Sequence, residues 1–184
     1  EFSELVGVDP AFREINIETK TPWWESLNRS NQEGASKIIT NNIQVTIYTF
    51  AFGATCGIGT LFYLAFNGAN IASVLTLTYQ AGFGNDLVTF MVAHGVVELS
   101  CIFIAGGAGL LIGSAILMPG NLTRADALRT RGMEAVRLMM GVAVLLVVAG
   151  TIEGFISPAP IDPRIKYSIA ALTGLTLYAY LLFV

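Results

Sequence analysis

A long stretch of this chain, from Ile38 to Asn85, contains no charged side chain. Three further uncharged stretches follow at 99–123, 138–152 and 167–184. A helix needs about 20 mostly apolar residues to cross a membrane, whereas the strands of membrane barrels are about 10 residues long and alternate in polarity. Because only helices and closed barrels satisfy their own backbone in lipid, these stretches predict an all-α, polytopic helical membrane protein.

The composition excludes several other classes of protein. Of 184 residues, 54% are hydrophobic and 12% are charged, whereas about 25% are charged in a typical soluble domain. The 10 Lys and Arg do not outnumber the 13 Asp and Glu, so we expect no nucleic-acid partner. One His and two Cys argue against a metal cluster and against a disulfide framework. We therefore predict no cofactor.

The apolar stretches predict four full spans, over about Ile43–Phe66, Leu87–Met118, Val136–Ser157 and Ile165–Val184. The segment Gly68–Gly84 is uncharged but short and rich in polar residues. We interpret it as a re-entrant or broken helix, which is tolerated in a membrane where protein surrounds it. The alternative is a fifth crossing.

Basic residues predict the orientation and a division of the chain into two parts. They are concentrated before the first span and again between the second and third spans, at Arg124, Arg129, Arg131 and Arg137. The positive-inside rule places both regions in the cytoplasm. We therefore predict a cytoplasmic segment at 1–37, a membrane domain at 38–184, and both termini in the cytoplasm. A fifth crossing would separate the two basic regions, which is why we favour four.

Each basic region also has the pattern of an amphipathic helix lying on the membrane. In the first, Pro22 suits the first helical position, and Trp23 and Trp24 favour the headgroup level. In the second, Thr123 and Asp126 resemble a capping box, and Arg124, Arg129 and Arg131 would anchor the helix to lipid. The alternative is that both helices form a docking surface for a cytoplasmic protein.

Three ionisable side chains fall inside or near the predicted spans: His94, Glu98 and Glu153. Such groups are costly in lipid and usually pair with each other. His94 and Glu98 lie on one helix face, one turn apart, and Glu153 lies at a depth where it can meet His94. We interpret the three as a buried polar cluster that joins helices. The alternative is a proton or cation relay; a zinc site, which needs three protein ligands, is poorly supported.

Small residues at four-residue spacing predict close contacts between helices. Gly53 and Gly57 have this spacing, as do Ala105, Gly109 and Gly113. We assign the neighbouring Gly106 to the same packing region. We interpret the pattern as packing within the chain, with a homo-oligomer interface as the alternative.

Several short motifs occur together from about Gly34 to the end of the chain. They are Asn41-Asn42-Ile43, Phe66-Asn67-Gly68, His94-Gly95-Val96-Val97-Glu98, and Ile152-Glu153-Gly154-Phe155 followed by Pro158. In this order they resemble the stage II sporulation protein M family of bacterial and archaeal integral membrane proteins. One departure is Ala93, where the family often has proline before the histidine.

The resemblance implies a role in a membrane complex. The founding member of the family supports septal peptidoglycan remodelling during engulfment, together with two partner proteins, and has no established enzymatic activity. The resemblance therefore implies a non-enzymatic anchor or scaffold with protein partners in the plasma membrane of a bacterium or archaeon. The alternative is a small transporter or channel that uses His94, Glu98 and Glu153 to handle protons or cations.

Overall fold

The computed structural model describes residues 31–183, with side chains from Thr40 onwards. The described chain is helical and contains no strand. Its five α-helices are α1 (Asn31–Ala51), α2 (Ile58–Ala81), α3 (Gly84–Leu117), α4 (Arg124–Phe155) and α5 (Pro163–Phe183), and a short 3-10 helix follows α1 at Phe52–Ala54. Four of them, α2 to α5, are long and apolar enough to cross a membrane. The all-α prediction and the count of four apolar helices are thus confirmed.

The first predicted span does not correspond to a single helix. The predicted span Ile43–Phe66 is interrupted after Ala51, and α2 begins only at Ile58. Two consecutive residues there, Cys56 and Gly57, have positive φ angles of 59° and 83°, which an α-helix does not accommodate. The segment Gly68–Gly84 is correspondingly not a separate short helix, because α2 continues through Gly68 to Ala81. The prediction of a re-entrant or broken helix rested on the many polar side chains of this segment, and these are accommodated within a continuous helix.

Of the two predicted interfacial helices, only the second lies within the described residues. Trp23 and Trp24 lie outside the described residues. The second predicted helix, after Thr123, is continuous with the following span as the single helix α4, so it is not a separate helix on the membrane. Its predicted start is correct: the backbone N–H of Asp126 donates to the Thr123 hydroxyl over 3.2 Å.

The described residues form two compact units. Unit 1 contains 31–39, 68–97 and 148–183, and unit 2 contains Thr40–Asn67 and Glu98–Val147. Helices α1 to α4 each contribute residues to both units, whereas α5 belongs to unit 1 alone.

Within unit 1, a tight turn joins α2 to α3. The N–H of Gly82 donates to the carbonyl of Tyr79 and the N–H of Phe83 to that of Thr78, which is the Schellman pattern that ends many helices. Gly82 has a φ of 93°, as this pattern requires of its first residue beyond the helix. The Phe83 side chain then packs with Leu87 and Phe90 in an apolar core.

Within unit 2, α1 and α3 run parallel at close range. Asn42 donates its amide N–H to the carboxylate of Glu98. Further along, Gly53 lies against the backbone of Gly109, and a Cβ added at Gly113 would be 2.5 Å from the backbone nitrogen of Gly57. Because later residues of one segment meet later residues of the other, the two segments point in the same direction. Glycine permits this approach because a side chain would collide with the facing backbone.

Candidate functional site

Four polar side chains of unit 1 form one buried group, which we call the His94 cluster: His94, Glu153, Ser157 and Lys166. The exposed fractions of these residues are 3%, 3%, 1% and 7%, respectively. The cluster therefore holds two groups of opposite formal charge and an imidazole in a region closed to solvent. Such groups are stable there only if they are paired or hydrogen-bonded.

The histidine connects α3 to the end of α4. His94 lies near the end of the unit 1 part of α3, and its Nδ1 is 2.8 Å from the hydroxyl of Ser157. Its Nε2 is 3.7 Å from the Oε1 of Glu153, which is within ion-pair range but too long for a good hydrogen bond. The Phe90 ring meets the imidazole edge-on at a centroid distance of 5.8 Å. The imidazole is thus held on three sides.

The lysine connects α5 to the same point. Lys166, in the first turn of α5, donates from Nζ to the backbone carbonyl of Ser157 over 2.6 Å. Ser157 directly follows the last turn of α4, where its own N–H donates to the carbonyl of Ile152. A cation at a helix carboxyl end is favourable, because the terminal carbonyls carry partial negative charge. Through Ser157, the cluster links α3, α4 and α5.

Two of the three ionisable residues singled out in the sequence come together within unit 1: His94 and Glu153. The third, Glu98, accepts a hydrogen bond from Asn42 within unit 2.

Two members of the cluster, Ser157 and Lys166, are not among the site residues predicted from the sequence. Ser157 is the last residue of the predicted span Val136–Ser157, and Lys166 is the second residue of the predicted span Ile165–Val184. The position of Lys166 is the one feature of the sequence that could have indicated its membership. Lys166 directly precedes the uncharged stretch 167–184 and follows Glu153 after a short connection, and a lysine in such a place usually pairs with a buried acceptor.

The other residues singled out in the sequence have mainly structural contacts. Arg131 donates to the hydroxyl of Ser114 and to the carbonyl of Met118, each over 3.0 Å, and so covers the carboxyl end of α3. Arg124 and Arg129 are exposed. A Cβ at Gly106 would meet the Leu64 side chain at 2.9 Å.

The cluster can hold or pass a proton, since it combines an imidazole, a carboxyl group, a hydroxyl and an amine. Among the described residues, no three His, Cys, Asp or Glu side chains are grouped as a metal site would need. The side chains of the cluster are capable of hydrogen bonding, ion pairing and proton exchange.

Comparisons with known proteins identify a family. A family model described as Stage II sporulation protein M matches residues 6–158. An uncharacterized protein of Methanocaldococcus jannaschii is 27% identical over 128 residues, which cover 66% of this chain and 69% of the relative. No solved structure was found to match the chain. Since the family model covers well over half of the sequence, and four apolar helices fit a multi-pass membrane protein, the chain belongs to the stage II sporulation protein M family.

Proposed function

We propose that the protein is a non-enzymatic anchor or scaffold in a membrane complex, located in the plasma membrane. The observation that carries this proposal is that polar groups of the His94 cluster make hydrogen-bond contacts between helices. Lys166 donates to a backbone carbonyl, and His94 is within hydrogen-bond distance of Ser157. These contacts join three helices of one unit, as a structural clamp would.

Family membership supports the same proposal. A scaffold needs a rigid membrane domain and polar segments that partners can reach. The close glycine contacts of unit 2 supply rigidity, since backbones in contact leave little room for sliding. A contribution to sporulation is a narrower version of the proposal, and it applies only if the source organism forms spores.

Purification from native membranes tests the scaffold proposal. The tagged full chain would be extracted in mild detergent at its native expression level, beside an unrelated tagged protein with four spans. We expect at least one protein, other than a second copy, to co-purify in a fixed ratio with this chain and not with the control. Recovery of the chain alone, or only as a homo-oligomer, would contradict the proposal.

A second candidate function is proton or cation handling, and burial of Glu153 and Lys166 beside His94 favours it. Ionisable groups within membrane helices often mark ion pathways. The test is reconstitution of the purified chain into liposomes with an internal pH dye, under an imposed pH or sodium gradient. A flux above that of protein-free liposomes, reduced in Glu153→Gln or Glu98→Gln, supports the transporter. Equal flux in all samples rejects it.

A further inference from the structure

The direction of α1 has a consequence for the arrangement of the chain in the membrane. Asn42 meets Glu98, Gly53 meets Gly109, and Gly57 meets Gly113. Each pair is separated by the same 56 positions that separate Asn42 from Glu98. A constant separation over three pairs means that this part of the chain advances beside α3, residue for residue and in the same direction.

The polarity of α1 is that of a helix in lipid. The side chains of Thr46 and Thr49 are 1% and 0% exposed, whereas Ile47 and Tyr48 are each 49% exposed. A helix on the surface of a soluble protein has the opposite pattern, with its apolar face buried. The two threonines satisfy their hydroxyls on the carbonyls of Asn42 and Val45 within α1. At 46–49 the polar side chains are buried and the apolar ones exposed, as suits a membrane, whereas Gln44 is exposed and Val45 is buried.

The two ends of α1 correspond to the two ends of α3. Because α1 advances beside α3 in the same direction, its amino end lies towards the start of α3 and its carboxyl end towards the end of α3. Helix α3 is long and apolar enough to cross a membrane. In such a span the start of α3 and the connection 118–123 lie on opposite sides, and the amino end of α1 lies on the side where α3 starts.

We propose that α1 is a fifth membrane-embedded helix, so that the amino-terminal segment and the arginine-bearing segment 118–137 face opposite sides of the membrane. Helix α1 is not among the four helices that are apolar enough to be candidate spans. Its uncharged part, 38–51, extends over about 21 Å and would be embedded through its contacts with α3. The proposal replaces the same-side prediction, which assumed that the chain from Ile43 to Phe66 is one span. Five crossings divide the 10 Lys and Arg into six and four, so charge alone does not decide the orientation.

This arrangement places segments of different charge in the two compartments. The segment 1–39 carries seven acidic and four basic residues, whereas 118–137 carries four arginines and two acidic residues. A soluble partner that binds one of the two segments is therefore excluded from the other.

Cysteine labelling tests the proposal. The parent is Cys56→Ala/Cys101→Ala, and single cysteines are introduced as Ser3→Cys, Asn121→Cys and Ala159→Cys. Each variant is treated with a membrane-impermeant maleimide in right-side-out spheroplasts and in inverted vesicles, with labelling after denaturation as the total. The parent without cysteine must remain unlabelled. Only variants that purify as a monodisperse species in detergent, like the parent, are scored.

We expect Ser3→Cys and Ala159→Cys to label in the same preparation and Asn121→Cys in the other. Labelling of Ser3→Cys and Asn121→Cys in the same preparation would overturn the proposal. If a cysteine variant does not purify, a reporter fused to the amino end replaces Ser3→Cys, and neighbouring loop positions replace the others. The result is independent of the scaffold function, which depends on co-purification and not on sidedness.

Discussion

The imidazole of His94 on α3 lies 2.8 Å from the hydroxyl of Ser157, which directly follows the last turn of α4. The carbonyl of the same serine accepts from Lys166 on α5. A small residue at a helix end thus receives contacts from two other helices. Because each contact is buried, loss of one partner leaves the other with an unsatisfied polar group, which costs more than the hydrogen bond itself contributes.

Replacement of Lys166 should destabilise the protein through the end of α4. Lys166→Met keeps most of the side-chain volume but removes the donor to the Ser157 carbonyl. We expect a loss of about 1–3 kcal/mol, the cost of a buried acceptor left without a partner. The measurement is unfolding in mixed micelles, followed by circular dichroism.

The matched control for Lys166 is Arg164→Met, two residues earlier on α5. Arg164 is exposed, so we expect a change within about 0.5 kcal/mol. Equal effects of the two substitutions would show that Lys166 has no special structural role.

Addition of one methyl group to Gly113 should disrupt the contact between α3 and the α1–α2 connection. The new Cβ would be 2.5 Å from the backbone nitrogen of Gly57 and 2.7 Å from the carbonyl carbon of Cys56. Backbone atoms cannot move away as a flexible side chain can, so we expect Gly113→Ala to cost at least about 1–3 kcal/mol. The midpoint of thermal unfolding in detergent reports this change.

Gly107→Ala provides the control in the same helix. Nothing lies within 4 Å of a Cβ at Gly107, and alanine is the better helix former by about 1 kcal/mol. We therefore expect an unchanged or higher unfolding midpoint. A lower midpoint for Gly107→Ala than for Gly113→Ala would contradict the parallel packing of α1 and α3.

Two arginines of α4 should behave differently although the sequence gives both the same role. Arg131 donates to Ser114 and to the Met118 carbonyl, whereas Arg129 is exposed. We expect Arg131→Met to lower stability by about 1–2 kcal/mol, because hydrogen bonds from a charged donor are lost. Arg129→Met should leave stability nearly unchanged. Protease cleavage at 118–123 provides a second measurement, since this connection should open first in Arg131→Met.

The sequence predicts some of these features well because they depend on local composition. Uncharged stretches locate α3, α5 and the carboxyl-terminal part of α4 closely, and the Thr123–Asp126 pair marks the first residue of α4. The small residues Gly53 and Gly57 predict a close contact between helices, which they make with the backbone of α3. The break after Ala51 is not predictable in the same way, because no pattern within 52–57 specifies the positive φ angle of Cys56, a residue with a side chain.

The members of the His94 cluster were only partly predictable for a similar reason. His94 and Glu153 stand out because ionisable groups are rare in apolar stretches. Ser157 is one of many hydroxyl residues, and its importance arises only where α3 and α5 both reach the end of α4. Glu98 stands out equally in the sequence, and the hydrogen bond that it accepts comes from Asn42, a residue far away in the chain.

The most direct test of the central claim, that the His94 cluster is a structural link, is a double-mutant cycle on His94 and Ser157. Unfolding free energies would be measured in mixed micelles for the wild type, His94→Ala, Ser157→Ala and the double variant. We predict that the double variant loses less stability than the two single variants together, by about 1 kcal/mol or more. Additive losses, accompanied by a proton flux in liposomes that His94→Ala abolishes, would contradict the claim.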